Sequence, residues 1–345
     1  MKKRPVYPFS AIVGQDSMKE ALILNTINPL IGGVLIRGEK GTAKSTAVRA
    51  LADLLPDRKV VAGCPCGCEW GRYDELCPEC VEKLDTGGLM EATVPMSVVE
   101  LPLSSTEDRV AGTLDIEYAI STGKKKFEPG VLARANGNIL YVDEVNLLDD
   151  HIVDLLLDAA AMGVNYIERE GISYSHPSRF ILVGTMNPEE GDLRPQLLDR
   201  FGLAVDVAAE HDEDRRMEII TRRMEFEKDP EGFRDDYAAE QQTIREEILR
   251  ARSIVKDIVP GKDVVRAAVR IPLHLEVDGH RADLTLIKAA VAYAAWCGRT
   301  QVKPGDVVHV SRLVMPHRMR RNPFQDSSLD TEELDAWLRS TFGTE

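Results

Sequence analysis

The 345-residue sequence has no apolar run near the ~18 residues that a membrane-spanning helix needs; the stretch AAVAYAAWC falls far short. Its basic start, MKKRPVYPFSAIVG, has none of the apolar core of a signal peptide. The chain therefore reads as cytoplasmic, with no membrane span. Positive charge is not in excess. Lys and Arg number 43 against 57 Asp and Glu, a net of −14, which argues against binding nucleic acid through a broad basic face. No internal repeat or low-complexity linker is present. Cysteine is scarce outside one segment: five of the six fall in residues 64–80. The sixth, Cys297, sits in an apolar helical stretch and is expected to be a small core residue. A hydrophobic fraction of 43% suffices for real cores, and the length suggests two domains.

What is present begins at residue 34. A short apolar run, Val34-Leu35-Ile36, precedes GEKGTAKS and then a helical pattern with Val48, Leu51 and Leu55. Strand, glycine-bearing turn and helix in that order are the context of a phosphate-binding loop. Its N–H groups, over Gly38, Gly41, Thr42, Ala43 and on to Thr46, can point at phosphate oxygens, and the helix presents its positive end to the same anion. Lys44 would reach the β and γ phosphates of ATP, and the Ser45 hydroxyl would ligate Mg²⁺. Ala43 stands where the strict pattern has Gly. The departure costs little if φ is negative there.

A second motif, ILYVDE over residues 139–144, reads as a buried strand ending in two carboxylates. Asp143 then lies at the C-terminal strand end, where ligands bind in open α/β sheets. It can hold Mg²⁺, and Glu144 can polarise the attacking water.

The segment CPCGCEWGRYDELCPEC favours a metal over disulfides in a cytosolic chain. Cys77 and Cys80 have the spacing of a zinc knuckle, and Cys64, Cys66 and Cys68 supply the opposite pair with one to spare. Four thiolates suit a structural Zn²⁺; an iron–sulfur cluster is the alternative.

Core strands are expected at 34–37, 59–62, 139–143, 180–184 and 203–207, with helices notably over 44–55 and 150–162. This alternation predicts an α/β fold, a parallel sheet with helices on both faces. An insertion holding the Cys loop and segment 93–135 separates the second and third strands. Residues 210–257 read as charged helices, and 264–345 as further helices with breaks at Pro260, Pro304 and Pro323. After the fourth strand, Asn187 would lie beside the Glu144 strand end, placed to bond the attacking water or γ-phosphate. Arg200 closes a short helix and is suited to reach a phosphate on a neighbouring subunit; the alternative is an ion pair with Asp199 or Glu190. Arg281 opens a later helix and could fold over the nucleotide; the alternative is a helix-start residue with no ligand.

The order GEKGTAKST, ILYVDEVNLLDDHIVDLLLDAAA, IEREGIS, HPSRFILVGTMNPEEGDLRPQLLDRFG and HRADLTLIKAA resembles the AAA+ ATPase subunit of magnesium chelatase, from about residue 5 to 320. The resemblance implies an AAA+ domain over 1–208, with a helix-2 insertion at about 97–135 and a pre-sensor hairpin at about 164–175. Linking helices over 209–260 and a smaller C-terminal helical lid domain over 261–345 would follow. It makes Lys44 and Ser45 the phosphate and Mg²⁺ contacts and Asp143 and Glu144 the metal and water pair. Asn187 becomes the first sensor, Arg200 the arginine finger and Arg281 the second sensor. Ala43 and the number of clustered cysteines depart from chlorophyll-pathway members, and partners of cobalt-inserting and other chelatases resemble this chain too.

The mechanism so implied is a ring, a homo-hexamer, with ATP at each interface. Hydrolysis would change ring geometry and act on an integrin-like subunit, then on a large tetrapyrrole-binding chelatase subunit. The chain has no acidic Pro-rich linker and no Asp-x-Ser-x-Ser site, so the integrin-like part is expected to be a separate polypeptide or absent. The competing classes are a MoxR-type chaperone and a helicase-like translocase. Lys124-Lys125-Lys126 is the one basic loop that favours nucleic acid, and it reads as a solvated turn. The hairpin segment Ile167-Glu168-Arg169-Glu170 is acidic on balance.

Overall fold

Two apolar runs, Ile139–Val142 and Ile181–Met186, are buried at every position. Such strands need cover on both faces and so belong to the middle of a sheet. In the computed structural model they do. Described there are residues 5–39, 41–115, 127–169, 172–277, 279–319, 337, 340 and 341. The strands among them are β1 (Val34–Gly38), β2 (Arg58–Val61), β3 (Glu91–Val94), β4 (Val98–Glu100), β5 (Gly112–Leu114), β6 (Phe127–Pro129), β7 (Ile139–Val142), β8 (Val164–Arg169), β9 (Ile172–Pro177), β10 (Ile181–Met186) and β11 (Leu203–Val207). The main sheet has the order β11-β1-β10-β7-β4, with β7 parallel to both neighbours. Helices Lys44–Leu54 and Asp150–Met162 follow β1 and β7. The second buries Ile152, Val153, Leu156 and Leu157 along one face and stops at Gly163, whose φ of 70° suits glycine at a helix C-terminus.

The strand expected over 59–62 lies outside this sheet. β2 pairs antiparallel with β3, and the fifth sheet strand is β4, from the stretch read as insertion. Only Val60 and Val61 of β2 are buried, so it has one apolar end rather than two covered faces. β5–β6 and β8–β9 are antiparallel hairpins. Lys124, Lys125, Lys126 and Glu170 lie outside the described residues.

The chain divides into two compact units. The first comprises Met1–Gly14, Ile36–Asp192 and Val207–Gln242. In it, Tyr7 packs edge-on against Phe226 at 5.2 Å and beside Phe233 at 5.5 Å, which fastens the N-terminal segment to helices Glu213–Lys228 and Pro230–Asp236. The second comprises Gln15–Leu35, Leu193–Asp206 and Thr243–Glu345. In it, helix Arg281–Trp296 buries Ala289, Ala290, Ala292, Ala294 and Ala295, small side chains that let neighbouring helices approach. Glu20 of helix Asp16–Ile27 accepts hydrogen bonds from Arg312, at 2.6 Å, and His309. Cys297 is exposed, not a core residue as expected. The helix ends one residue before it, and Gly298, at φ +73°, turns the chain away. Among the described residues no helix is long and apolar enough to cross a membrane.

Candidate functional site

The loop after β1 is shaped by two glycines. Gly38 lies at φ +150°, and a Cβ there would sit 2.0 Å from the Val207 carbonyl oxygen, so no other residue fits. Gly41 lies at φ +87°, and among the described residues no atom lies within 4 Å of where a Cβ would sit. Thr42 Oγ1 donates to the Glu39 carbonyl at 2.9 Å and closes the turn. Helix Lys44–Leu54 starts immediately after, with no acidic residue in its first turn to cancel its positive end. Lys44 Nζ donates back across the loop to the carbonyls of Gly38 and of Glu39, the latter at 3.1 Å. Ser45 is exposed and Thr46 half-buried in the same turn. A glycine-bearing loop with an ammonium across it, leading into the positive end of a helix, fits a nucleotide's phosphates.

Ala43 does not have the negative φ that would make it cheap. It lies at φ 61°, ψ 15°, in the left-handed region. That conformation costs a residue with a Cβ about 1–2 kcal/mol, while glycine costs the folded state about 0.5–1 kcal/mol in lost chain freedom. Ala43→Gly is therefore expected to stabilise the protein by about 0.5–1 kcal/mol net. A urea midpoint that rises with unchanged slope supports this; a fall counts against the left-handed assignment.

Asp143 and Glu144 leave the C-terminal end of β7. In the parallel register Gly184 of β10 stands beside Val142, so Thr185 stands one step on, beside Asp143. Its hydroxyl, buried with the rest of β10, bridges the pair: it donates to Asp143 Oδ1 at 2.6 Å and accepts from the Glu144 N–H at 3.1 Å. Tyr141 donates to the same Asp143 oxygen at 2.8 Å, and burial pushes its phenol well above the ordinary tyrosine range. Glu144 itself lies at φ 53°, ψ 54°. A left-handed glutamate is uncommon and marks a position whose surroundings override local preference.

Asn187 follows β10 and is buried. Its Oδ1 accepts from the Glu189 N–H at 3.3 Å, capping the short turn Pro188–Glu190. Tyr141 and Thr185 carry no motif that singles them out. The available signal is that a hydroxyl ending a fully apolar strand must find a buried partner.

Arg200 and Arg281 both belong to the second unit. Arg200 is half-buried and follows Asp199, and Arg281 is the first residue of its helix. Asp199 pairs with Arg281 at 2.9 Å and with Arg318 at 3.2 Å. Arg318, its side chain 1% exposed, also donates to the carbonyls of Asp199, Phe201 and Gly202. Burial pushes its guanidinium down to about 10, still charged at neutral pH. It is the post around which the Arg200 turn is wound, and the sequence alone did not single it out.

The cysteines of 64–80 converge. Sγ atoms of Cys64, Cys68, Cys77 and Cys80 all lie within 4.8 Å of one another. Cys66 is buried beside them but stands outside that set. Hydrogen bonds from the thiols of Cys66, Cys68 and Cys77 favour the thiolate at Cys64 and push Cys66 and Cys68 up.

A family profile described as AAA domain (dynein-related subfamily) matches residues 87–201, and one described as AAA lid domain matches 265–337. A magnesium-chelatase subunit ChlI homolog of Methanocaldococcus jannaschii is 56% identical over 96% of this chain and 91% of its own length. A chloroplastic magnesium-chelatase subunit ChlI of Glycine max is 50% identical over 95% of this chain and 78% of its own. In a single-particle cryo-EM complex of magnesium-chelatase subunits BchI and BchD, one chain is 48% identical, with a TM-score of 0.56, covering 93% of this chain and 98% of that one. The chain thus belongs to the ATPase-subunit (ChlI/BchI) family of magnesium chelatase, within the AAA+ ATPases.

Proposed function

We propose that this chain is the Mg·ATP-hydrolysing motor of a metal chelatase. It would drive insertion of a divalent metal, Mg²⁺ or else Co²⁺ or Ni²⁺, into a tetrapyrrole carried by a separate large subunit. The observation that carries the reading is the carboxylate pair Asp143–Glu144, held by Thr185 at the end of β7 in a chain with chelatase relatives. Lys44 holds the β and γ phosphates; Ser45 and Asp143 hold Mg²⁺, which offsets the charge gathering on the phosphates. Glu144 orients the attacking water, with Asn187 alongside. Arg200 acts from the neighbouring subunit of a homo-hexamer, and Arg281 is the second sensor. Residues 1–208 form the nucleotide-binding domain, 209–260 the linking helices and 261–345 the lid. The ring works in the cytoplasm on an integrin-like subunit, which acts in turn on the large one. The assembly is a ligase forming metal–nitrogen bonds; this chain supplies the ATPase.

The test combines the chain with both other subunits, ATP, a free-base porphyrin and each of the three metals, and follows metalloporphyrin absorbance. ATP-dependent insertion of one metal is expected. ATP hydrolysis that neither subunit alters, with no insertion of any metal, would favour a protein-remodelling ATPase instead.

A further inference from the structure

Around the clustered cysteines the backbone makes two tight turns. Gly67 lies at φ +57° between Cys66 and Cys68, and the Cys68 N–H points at Cys64 Sγ, 3.5 Å away. The Cys77 N–H donates to Cys68 Sγ at 3.2 Å, and the Cys80 N–H to the Cys77 carbonyl at 2.9 Å. N–H groups aimed at sulfur stabilise thiolates rather than thiols. A single Zn²⁺ about 2.3 Å from four sulfurs holds them about 3.8 Å apart. Cys64 and Cys77 Sγ are 3.7 Å apart, too far for a disulfide and suited to one ion. A four-iron cluster puts each thiolate on a separate iron and would spread the sulfurs well beyond this spacing.

What surrounds the site says what it holds. Glu79, inside the Cys77–Cys80 turn, accepts from Tyr174 of β9 at 2.6 Å. Tyr174 stacks on Phe127 of β6 at 4.4 Å, and Ile167 of β8 and Leu114 of β5 pack in the same cluster. Glu75 takes both arms of Arg179, just past β9, at 2.7 Å each. Asn136 Nδ2 donates to the Cys66 carbonyl at 2.9 Å, while its Oδ1 accepts from the Arg179 N–H. The cysteine loop is thus the floor on which both hairpins stand.

We infer that Cys64, Cys68, Cys77 and Cys80 bind one tetrahedral Zn²⁺, with Cys66 a spectator, and that this ion fixes the β8–β9 and β5–β6 hairpins on the nucleotide-binding unit. The inference is independent of the chelatase reading. Elemental analysis of the anaerobically purified full chain tests it, with one zinc per chain expected. Cys64→Ser, Cys68→Ser, Cys77→Ser and Cys80→Ser should each lose zinc, and Cys66→Ser should keep it. Stripping zinc from the wild type with a mercurial and chelator needs no variant to fold. Amides of β8 and β9 should then exchange roughly tenfold faster or more. A metal-free chain with all six thiols titratable overturns the site, as does iron with sulfide. Zinc lost from Cys66→Ser but kept by Cys64→Ser overturns the ligand set. Unchanged exchange in β8 and β9 after stripping overturns the anchoring role.

Discussion

Glu144→Gln is expected to slow ATP hydrolysis by roughly 10²- to 10⁴-fold while ATP still binds with near wild-type affinity. The amide keeps the size and hydrogen-bonding reach of the carboxylate but cannot take a proton from water. Binding should survive because the groups assigned to the phosphates, Lys44 and the helix N-terminus, belong to a different loop. The backbone argues in the same direction. Glu144 is held in the left-handed region by the Thr185 hydroxyl, which accepts its N–H. Strain of about 1–3 kcal/mol is tolerated where a side chain must point one way. Single-turnover hydrolysis and nucleotide titration of the same preparation separate chemistry from binding. Near wild-type turnover would remove Glu144 from its role, and loss of binding would make it structural.

The parts of the site that the sequence shows are those whose geometry is local. A phosphate-binding loop is a strand, a turn and a helix start within a dozen residues, and GEKGTAKS carries all three. The two carboxylates of ILYVDE announce a strand end for the same reason. What depends on pairing between distant segments was hidden. Thr185 meets Asp143 only because β10 lies beside β7 in one register, and a shift of one residue would turn its hydroxyl to the other face. The edge strand β4 has only three residues, too few to show a period, whereas the apolar end of β2 imitates a core strand. The spacing of five cysteines permits several quartets, and only the fold of the loop sets Cys66 aside. Ala43 shows the limit of a motif read as letters. Its cost depends on a dihedral angle that the pattern does not state, and that angle is positive.

Arg200→Ala and Lys44→Ala are each expected to reduce ATPase activity to about 1% or less, since a trans-acting arginine is worth roughly 10³–10⁵ in rate. Mixed, they should regain activity. A head-to-tail ring presents the loop of one subunit to the arginine of the next, so random equal mixing leaves about a quarter of interfaces with both groups intact. The turn that carries Arg200 is built to hold a fixed direction. Arg318 binds three of its carbonyls, Asp199 is clasped by Arg281 and Arg318, and a Cβ on Gly202 would sit 2.1 Å from the Ile31 carbonyl oxygen. A flexible surface arginine would need none of this. Asp199, beside Arg200 in this turn, pairs with Arg281 and Arg318. Activity measured across mixing ratios, in rings shown by dual-tag capture to contain both variants, decides the matter. Recovery that peaks near equal ratios assigns Arg200 to the neighbouring site. Rings that are mixed yet inactive at every ratio would leave it as a residue that shapes its own turn.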